Sequence, residues 1–435
     1  MTFVAFVVAL SVIVAIHEYG HYIVGRWSGI HADVFSLGFG PVLWSRHDKR
    51  GTKWQIAALP FGGYVKFKGD ANAASGKDGE AMEALSEEEK RSTMHGAPLW
   101  ARTATVAAGP IFNFILSIVV FTTILLSQGK IADEFFVGDL RDLPPPAYDL
   151  QVGDKLLSID GKTLPALDDG VAFDRLITNL PAQSRLDYGV LRDGASLTVD
   201  GPFLYPPIIL HVSPQSAAYA IDLQVGDVIT AIDGTQIHAF RELKSAVEGG
   251  AGKPLLLNIW RAGQELEFTL TPRRVDEPQS EGGFATNWRI GIGGGMAFEP
   301  ATQPLGFSEA LSTGVGQTGL IIQGSLSGLY HMITGAISSC NLSGPVGIAQ
   351  TSGAMASQGL DKFIWFIAVL STAIGMLNLF PVPMLDGGHL VFYAYEAVVG
   401  KPPSDGALRI LMSIGITLVL GLMLFGLAND LLFCR

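Results

Sequence analysis

His17, Glu18 and His21 are the residues of this chain best suited by type and spacing to do chemistry. In the run His17-Glu18-Tyr19-Gly20-His21, two imidazoles four apart fall on one face of a helix. That spacing lets two histidines bind one Zn²⁺, with the neighbouring carboxylate free to activate a water. The solvent is what makes the motif unusual. Every residue from Phe3 to Ile16 is apolar except Ser11, so the pair lies at membrane depth. Each ionisable group there costs roughly 2–3 kcal/mol unless partnered, and no packing role needs three of them together.

Two histidines make only half of a zinc site, so another element must bring a third ligand. The 435 residues are 48% hydrophobic and only 16% charged, with a mean hydropathy of +0.35. Four stretches can span a bilayer, which takes about 20 residues. They are Phe3–Val24, Thr103–Leu126, Phe363–Phe380 and Leu408–Leu432. The first lacks the basic start and small-residue cleavage site of a signal peptide, and is expected to stay as an anchor. The net charge of −11 argues against nucleic acid as a partner. Cys340 and Cys434 are too few for a disulfide framework and are expected to be unpaired thiols.

Arg26, Arg46, Lys49, Arg50, Lys53 and Arg102 crowd the first loop, whereas the far end of span two offers only Lys130. By the positive-inside rule the 25–102 loop is cytoplasmic and both termini lie outside. Spans one and three then run in the same direction. The histidine pair sits near the inner end of span one. Just past the inner end of span three comes Asn378-Leu-Phe-Pro-Val-Pro-Met-Leu-Asp-Gly-Gly-His389, whose prolines and glycines break the helix. Irregular backbone at that depth needs a polar lining. Asp386 is therefore expected to join His17 and His21 at one level, leaving the fourth tetrahedral position open, as a catalytic zinc requires. His389 is the rival third ligand and the less favoured one.

In the first loop, Trp54–Leu59 and Tyr64–Phe67 read as short β-runs punctuated by Pro60 and Gly62-Gly63. On the residues alone this is a small cytoplasmic hairpin. Residues Asp70 to Arg91 read as a solvated linker or surface helix. Span two carries Gly109-Pro110 at its opening and Asn113 one turn later.

Between about 130 and 275 the chain repeats itself. Leu150-Gln-Val-Gly-Asp154 returns as Leu223-Gln-Val-Gly-Asp227, and Ile159-Asp-Gly161 as Ile232-Asp-Gly234. Two α+β units of about 70 residues are the simplest account. The pattern resembles the bacterial PDZ domain, which binds an extended peptide as an added strand. Asp149 and Asp222 stand where a glycine is usual, and Pro144-Pro145-Pro146 falls where a peptide loop would lie. Residues 276–300 read as a linker, and Pro304–Ser339 as amphipathic helix at the membrane surface or as a packed helix pair.

Taken together, HEYGH in span one, Gly-Pro-x-x-Asn in span two, the repeats and Asn-x-x-Pro-x-Pro-x-x-Asp-Gly-Gly-His resemble the site-2 protease family. These are intramembrane zinc metalloproteases, and the resemblance is specifically to the bacterial regulator-of-sigma-E protease type. The resemblance implies His17, His21 and Asp386 as zinc ligands and Glu18 as catalytic base. It also implies a membrane-reentrant β-loop over 61–67, with Gly62, Gly63, Tyr64 and Val65 pairing with substrate, and substrate contacts from Asn113 and Asn378. The partners it implies are a single-span membrane protein such as an anti-sigma factor, remnant signal peptides, and membrane lipid. A peptide ligand of the PDZ units would be a further partner.

The expected fold is a polytopic α-helical membrane protein of four transmembrane helices, a membrane-associated β-hairpin and two tandem α+β PDZ domains. Its expected divisions are 1–127, 128–204, 205–275, 276–362 and 363–435, with the PDZ pair periplasmic and the site near the cytoplasmic side of the inner membrane. A non-enzymatic PDZ scaffold is the rival, and it would not need stoichiometric zinc.

Overall fold

The computed structural model describes residues 2–70, 85–166, 169–279 and 283–433. Two compact units emerge: 1–124 with 307–335 and 339–435, and 125–306 with 336–338.

The first unit opens with α1, Thr2–Trp27. Ala5, Ala9 and Ile13 form its buried stripe at helical spacing, against Met355, Phe363 and Ile367. Its other side exposes Val4, Val8 and Val12. A row of exposed valines is unfavourable in water and ordinary in lipid.

Two long strands follow, β1 (Ala32–His47) and β2 (Lys53–Phe67). The expected hairpin within 54–67 does not form, because Pro60 to Gly63 lie inside the continuous β2. The partner strand is β1, which the sequence reading passed over. Register explains how two strands make a broader sheet: Val34–Leu37 match Lys53–Ile56 on one side and Gly63–Lys66 on the other. The segment Val42–His47 also matches Lys53–Ala57. Bends at Gly38 and Gly40, at φ +89° and +83°, allow the chain to fold back so sharply. Gly63–Phe67 is thus an edge run; among the described residues no strand covers its other side.

Of the stretch expected as a linker or surface helix, 71–84 lie outside the described residues. Glu87–Lys90 form one helical turn capped by Ser86. Helix α2, Leu99–Gln128, then runs unbroken through Pro110. Pro110 therefore sits well inside the helix, and not at its opening as the sequence suggests.

Returning after residue 306, the chain forms α3 (Phe307–Ile333), α4 (Pro345–Ser357), α5 (Leu360–Asn378), α6 (Asp386–Val399) and α7 (Asp405–Ala428). Helix α3 buries Ala310, Gly314 and Thr318. A Cβ on Gly314 would stand 3.1 Å from the Ile118 carbonyl, so α3 is packed along α2. Ser117 and Ser371 cross-link α2 and α5 through the carbonyls of Ala368 and Asn113 at 2.8 and 2.9 Å. Asp430 accepts from the Gly344 and Gly347 N–H groups and so caps α4. Helices α1, α2, α5 and the 406–433 stretch are long and apolar enough to cross a membrane. Cys340 is disulfide-bonded, which corrects the free thiol expected there; Cys434 lies outside the described residues.

In the second unit the repeat is visible as architecture. One four-stranded sheet has the order 162–163, 155–159, 186–192, 195–201, and the other 235–236, 228–232, 255–261, 264–270. Helices Gly170–Thr178 and Phe240–Gly249 occupy equivalent places. The repeated aspartates have one job. Asp154 pairs with Arg192, and Asp227 with Arg261, each at 2.6 Å from Nε. Both carboxylates also accept the N–H of the glutamine three residues earlier, Gln151 and Gln224. The 276–300 stretch is not a linker. Arg273–Pro278 pairs with Phe284–Arg289, Ile292–Gly293 with His211–Val212, and Phe298–Pro300 with Val137–Leu140. The expected boundary at 275 therefore falls inside this unit.

Candidate metal centre

His17 and His21 project from α1 one helical turn apart, and their Nε2 atoms stand 3.2 Å from each other. Asp386 Oδ2 lies 3.2 Å from His17 Nε2 and 3.5 Å from His21 Nε2. Zinc–ligand bonds of 2.0–2.1 Å at tetrahedral angles separate ligand atoms by roughly 3.3 Å. The triangle fits. Asp386 Oδ2 is buried and has no hydrogen-bond donor, which is costly for a carboxylate oxygen unless a cation satisfies it. Among the described residues these three form the cluster able to hold a metal.

The ring orientations agree with that role. His21 Nδ1 lies 2.9 Å from the Thr105 carbonyl, which can only accept, so Nδ1 carries the proton and Nε2 keeps its lone pair. Asn113, wholly buried on α2, brings its amide to 3.3 Å from His17 Nδ1. Helix α2 comes this close because of Gly109: a Cβ there would stand 2.3 Å from His21 Nε2 and 2.8 Å from His17 Cε1. Gly20 plays the reciprocal part on α1, where a Cβ would meet the Ala108 carbonyl at 2.6 Å.

Asp386 arrives by a different construction. Between α5 and α6 the chain turns through Leu379–Leu385, with Met384 at φ +88°. Asp386 is the first residue of α6. Gly387 and Gly388 permit the turn, since their Cβ atoms would stand 2.2 and 2.4 Å from the Leu379 and Val382 carbonyls. Arg102 holds the helix further along. Its guanidinium donates to both Glu396 carboxylate oxygens, at 3.0 and 2.6 Å, and lies over the Tyr393 ring.

Beside this triangle opens a cavity of about 380 Å³. Glu18, Gly63, Tyr64, Val65 and Asn378 line it together with the three ligand residues. The Val65 main-chain N–H faces the Glu18 carboxylate. Gly63 backs onto α1, where a Cβ would stand 3.2 Å from Glu18 Cγ. Asn378 donates to the Ile374 carbonyl of its own helix. Two predicted residues stand elsewhere. Asn113 lies behind His17 rather than in the cavity wall, and Gly62 (φ +147°) packs beneath Phe39. His389, the rival ligand, lines the cavity outside the triangle. Thr105, Gly109 and Arg102 are the contributors that sequence reasoning missed.

The sequence profile of peptidase family M50 matches residues 5–422. A protein of Agrobacterium fabrum, provisionally named a zinc metalloprotease, is 36% identical over 98% of this chain and 95% of its own length. Similarly named proteins of Rhizobium meliloti and Vibrio cholerae are 34% and 30% identical, over 99% and 98% of this chain and 96% and 98% of theirs. Among solved structures, a PDZ domain from Listeria monocytogenes covers 20% of this chain and 84% of its own, at TM-score 0.17 and 19% identity. A likeness that slight carries no weight for fold or function.

Proposed function

The chain belongs to peptidase family M50 and is a multi-pass zinc metalloprotease, and from that premise we propose that it cuts a peptide bond within the transmembrane segment of a single-span membrane protein. The observation that carries this reading is Glu18 beside three converging ligand atoms, in a cavity walled by apolar helices and an edge strand. Zinc held by His17, His21 and Asp386 supplies a Lewis acid for the scissile carbonyl and a water of lowered pKa. Glu18 takes the proton of the attacking water and returns it to the leaving amine.

A helical substrate hides its carbonyls in its own hydrogen bonds and must unwind first. The free edge of Gly63–Phe67 offers replacement main-chain partners, so the substrate adds as a strand. Asn378, on the cavity wall, offers its amide oxygen to the same segment. In this reading the two repeats are PDZ domains on the periplasmic side of a bacterial inner membrane, restricting or recruiting substrates. An anti-sigma factor in a sigma-E type stress response fits that arrangement, as do remnant signal peptides.

The test is Glu18→Gln, assayed with a reconstituted single-span substrate. Bound zinc should stay near one per chain while cleavage falls by at least about 10²-fold, the lower range for a general base. Undiminished cleavage would overturn the assignment.

A further inference from the structure

Below the metal centre, at the end of α1, a second cavity of about 440 Å³ is lined by Arg26, His31, Arg50 and Lys68, and among the described residues no carboxylate lines it. The walls are built rather than incidental. Ile30 N–H donates to the Gly25 carbonyl, Lys68 N–H to His31, and His31 N–H to Ser92, which knits three chain segments around the opening. His31 and Lys68 have acidic neighbours, Asp33 at 3.7 Å and Glu89 at 3.6 Å. The guanidiniums of Arg26 and Arg50 form no ion pair with a carboxylate among the described residues, although Asp48 accepts the Arg50 main-chain N–H at 2.8 Å. Arg26 spends one N–H on the Tyr22 hydroxyl at 2.8 Å, and Tyr22 in turn donates to Asp48. That chain aims the guanidinium while leaving its other donors free.

The surroundings indicate the ligand. Trp27, next to Arg26, is 74% exposed, and Trp100 at the start of α2 is 65% exposed. Exposed tryptophans at the ends of membrane helices mark the headgroup level. Two unpaired guanidiniums can each grip a phosphate through paired N–H donors. The cavity falls within the roughly 300–1,000 Å³ of small-molecule sites, ample for a phosphate carrying a polar headgroup.

We propose that this cavity is a binding site for an anionic phosphate group, held by Arg26 and Arg50 with His31 and Lys68 beside it, and supplied by an anionic phospholipid headgroup. Free phosphate is the other source of the same chemistry, and the arms of the experiment separate the two.

Full-length protein, stripped of lipid in an uncharged detergent, is titrated with dioctanoyl phosphatidylglycerol, dioctanoyl phosphatidylcholine or inorganic phosphate, and binding is counted by native mass spectrometry. One phosphatidylglycerol should bind at least tenfold more tightly than phosphatidylcholine. Each arginine near an anionic headgroup contributes about fivefold, so Arg50→Ala should weaken binding about fivefold and Arg26→Ala with Arg50→Ala about 25-fold. Arg46→Ala, an exposed arginine outside the cavity, should leave it within twofold. Arg50 lies in an exposed turn, so its single variant keeps the test informative if the double variant does not fold. Inorganic phosphate bound as tightly, and lost in the same variants, would keep the site and assign it to free phosphate. Equal binding of phosphatidylcholine, equal loss in Arg46→Ala, or unchanged binding in Arg50→Ala would each overturn the proposal.

Discussion

The side-chain amide of Asn113 lies 3.3 Å from His17 Nδ1, the ring nitrogen opposite the one that faces His21 and Asp386. Its Oδ1 is buried without a donor. Half a turn of the amide about its last bond exchanges the oxygen and nitrogen, and Oδ1 then accepts the Nδ1 proton. His17 Nε2 is thereby left with a bare lone pair, the state a metal needs. Asn113 is thus placed to orient His17; the resemblance implies a substrate contact, and the geometry points to ligand orientation. Asn113→Asp, which keeps an acceptor, should retain zinc, and Asn113→Leu should lose about 10–100-fold in zinc affinity. Competition with a chromogenic chelator measures both. Equal affinity in the leucine variant would refute the role.

Two glycines press on the site from opposite sides and should fail in different ways. A methyl on Gly109 would stand 2.3 Å from His21 Nε2 and 2.8 Å from His17 Cε1, and the His21 ring is tied on its other side to the Thr105 carbonyl. Gly109→Ala should therefore empty the metal site. A methyl on Gly63 would meet the Ser36 carbonyl at 2.7 Å and Glu18 Cγ at 3.2 Å, away from the ligands. Gly63→Ala should hold its zinc and lose up to about 10²-fold in turnover, the scale expected when a reacting group is misplaced by about 1 Å. Zinc content and single-turnover cleavage, measured on the same preparations, distinguish the two failures.

What could be read in advance follows from where the information lies. His17 and His21 are four apart on one helix, so periodicity alone pairs them, and equal span direction is enough to bring Asp386 to their level. Thr105 was invisible because it contributes a main-chain carbonyl, which every residue possesses. Strand β1 is interrupted by Gly38 and Gly40, residues that weaken a strand pattern and here mark the bends that let one strand flank β2 twice. Residues 276–300 look like linker by composition. The partners of 292–293 and 298–300 lie far back in the chain, at 211–212 and 137–140, where no local pattern records the pairing.

Arg102 is hidden from local pattern in the same way. In sequence it is one more basic residue beside a span; in the fold it grips Glu396, 294 residues away, through two hydrogen bonds. Both side chains are mostly buried, at 14% and 16% exposure. Removing one partner strands the other charge, at a cost of about 3–5 kcal/mol. Arg102→Ala should lower the thermal midpoint in detergent and loosen α6, reducing zinc affinity through Asp386. Arg102→Leu with Glu396→Leu should recover much of the stability, because neither charge is left buried alone. A double variant no better than the single one would show that the pair is not what holds α6.

The Asp154–Arg192 pair gives the second unit a defined response to acid. Burial by itself would raise the Asp154 carboxyl, yet the Arg192 hydrogen bonds, the Gln151 N–H and the guanidinium charge together hold it below the ordinary range. In Glu277 the Arg289 hydrogen bonds lead in the same direction. A folded-state value below the unfolded one means that the contribution to stability is complete above the ordinary carboxylate pKa, about 4. It declines as pH falls through that value and is gone below the depressed one. Hydrogen exchange of the 149–192 segment in the full-length protein, corrected for intrinsic rate, should therefore be flat from pH 7 to 5. Protection should then fall as the pH is taken from 5 towards 3. Arg192→Ala removes the pairing that depresses Asp154, so this segment should be less protected at pH 7 and show a shallower acid response. An acid response as steep as that of the wild type in Arg192→Ala would place its origin outside this pair.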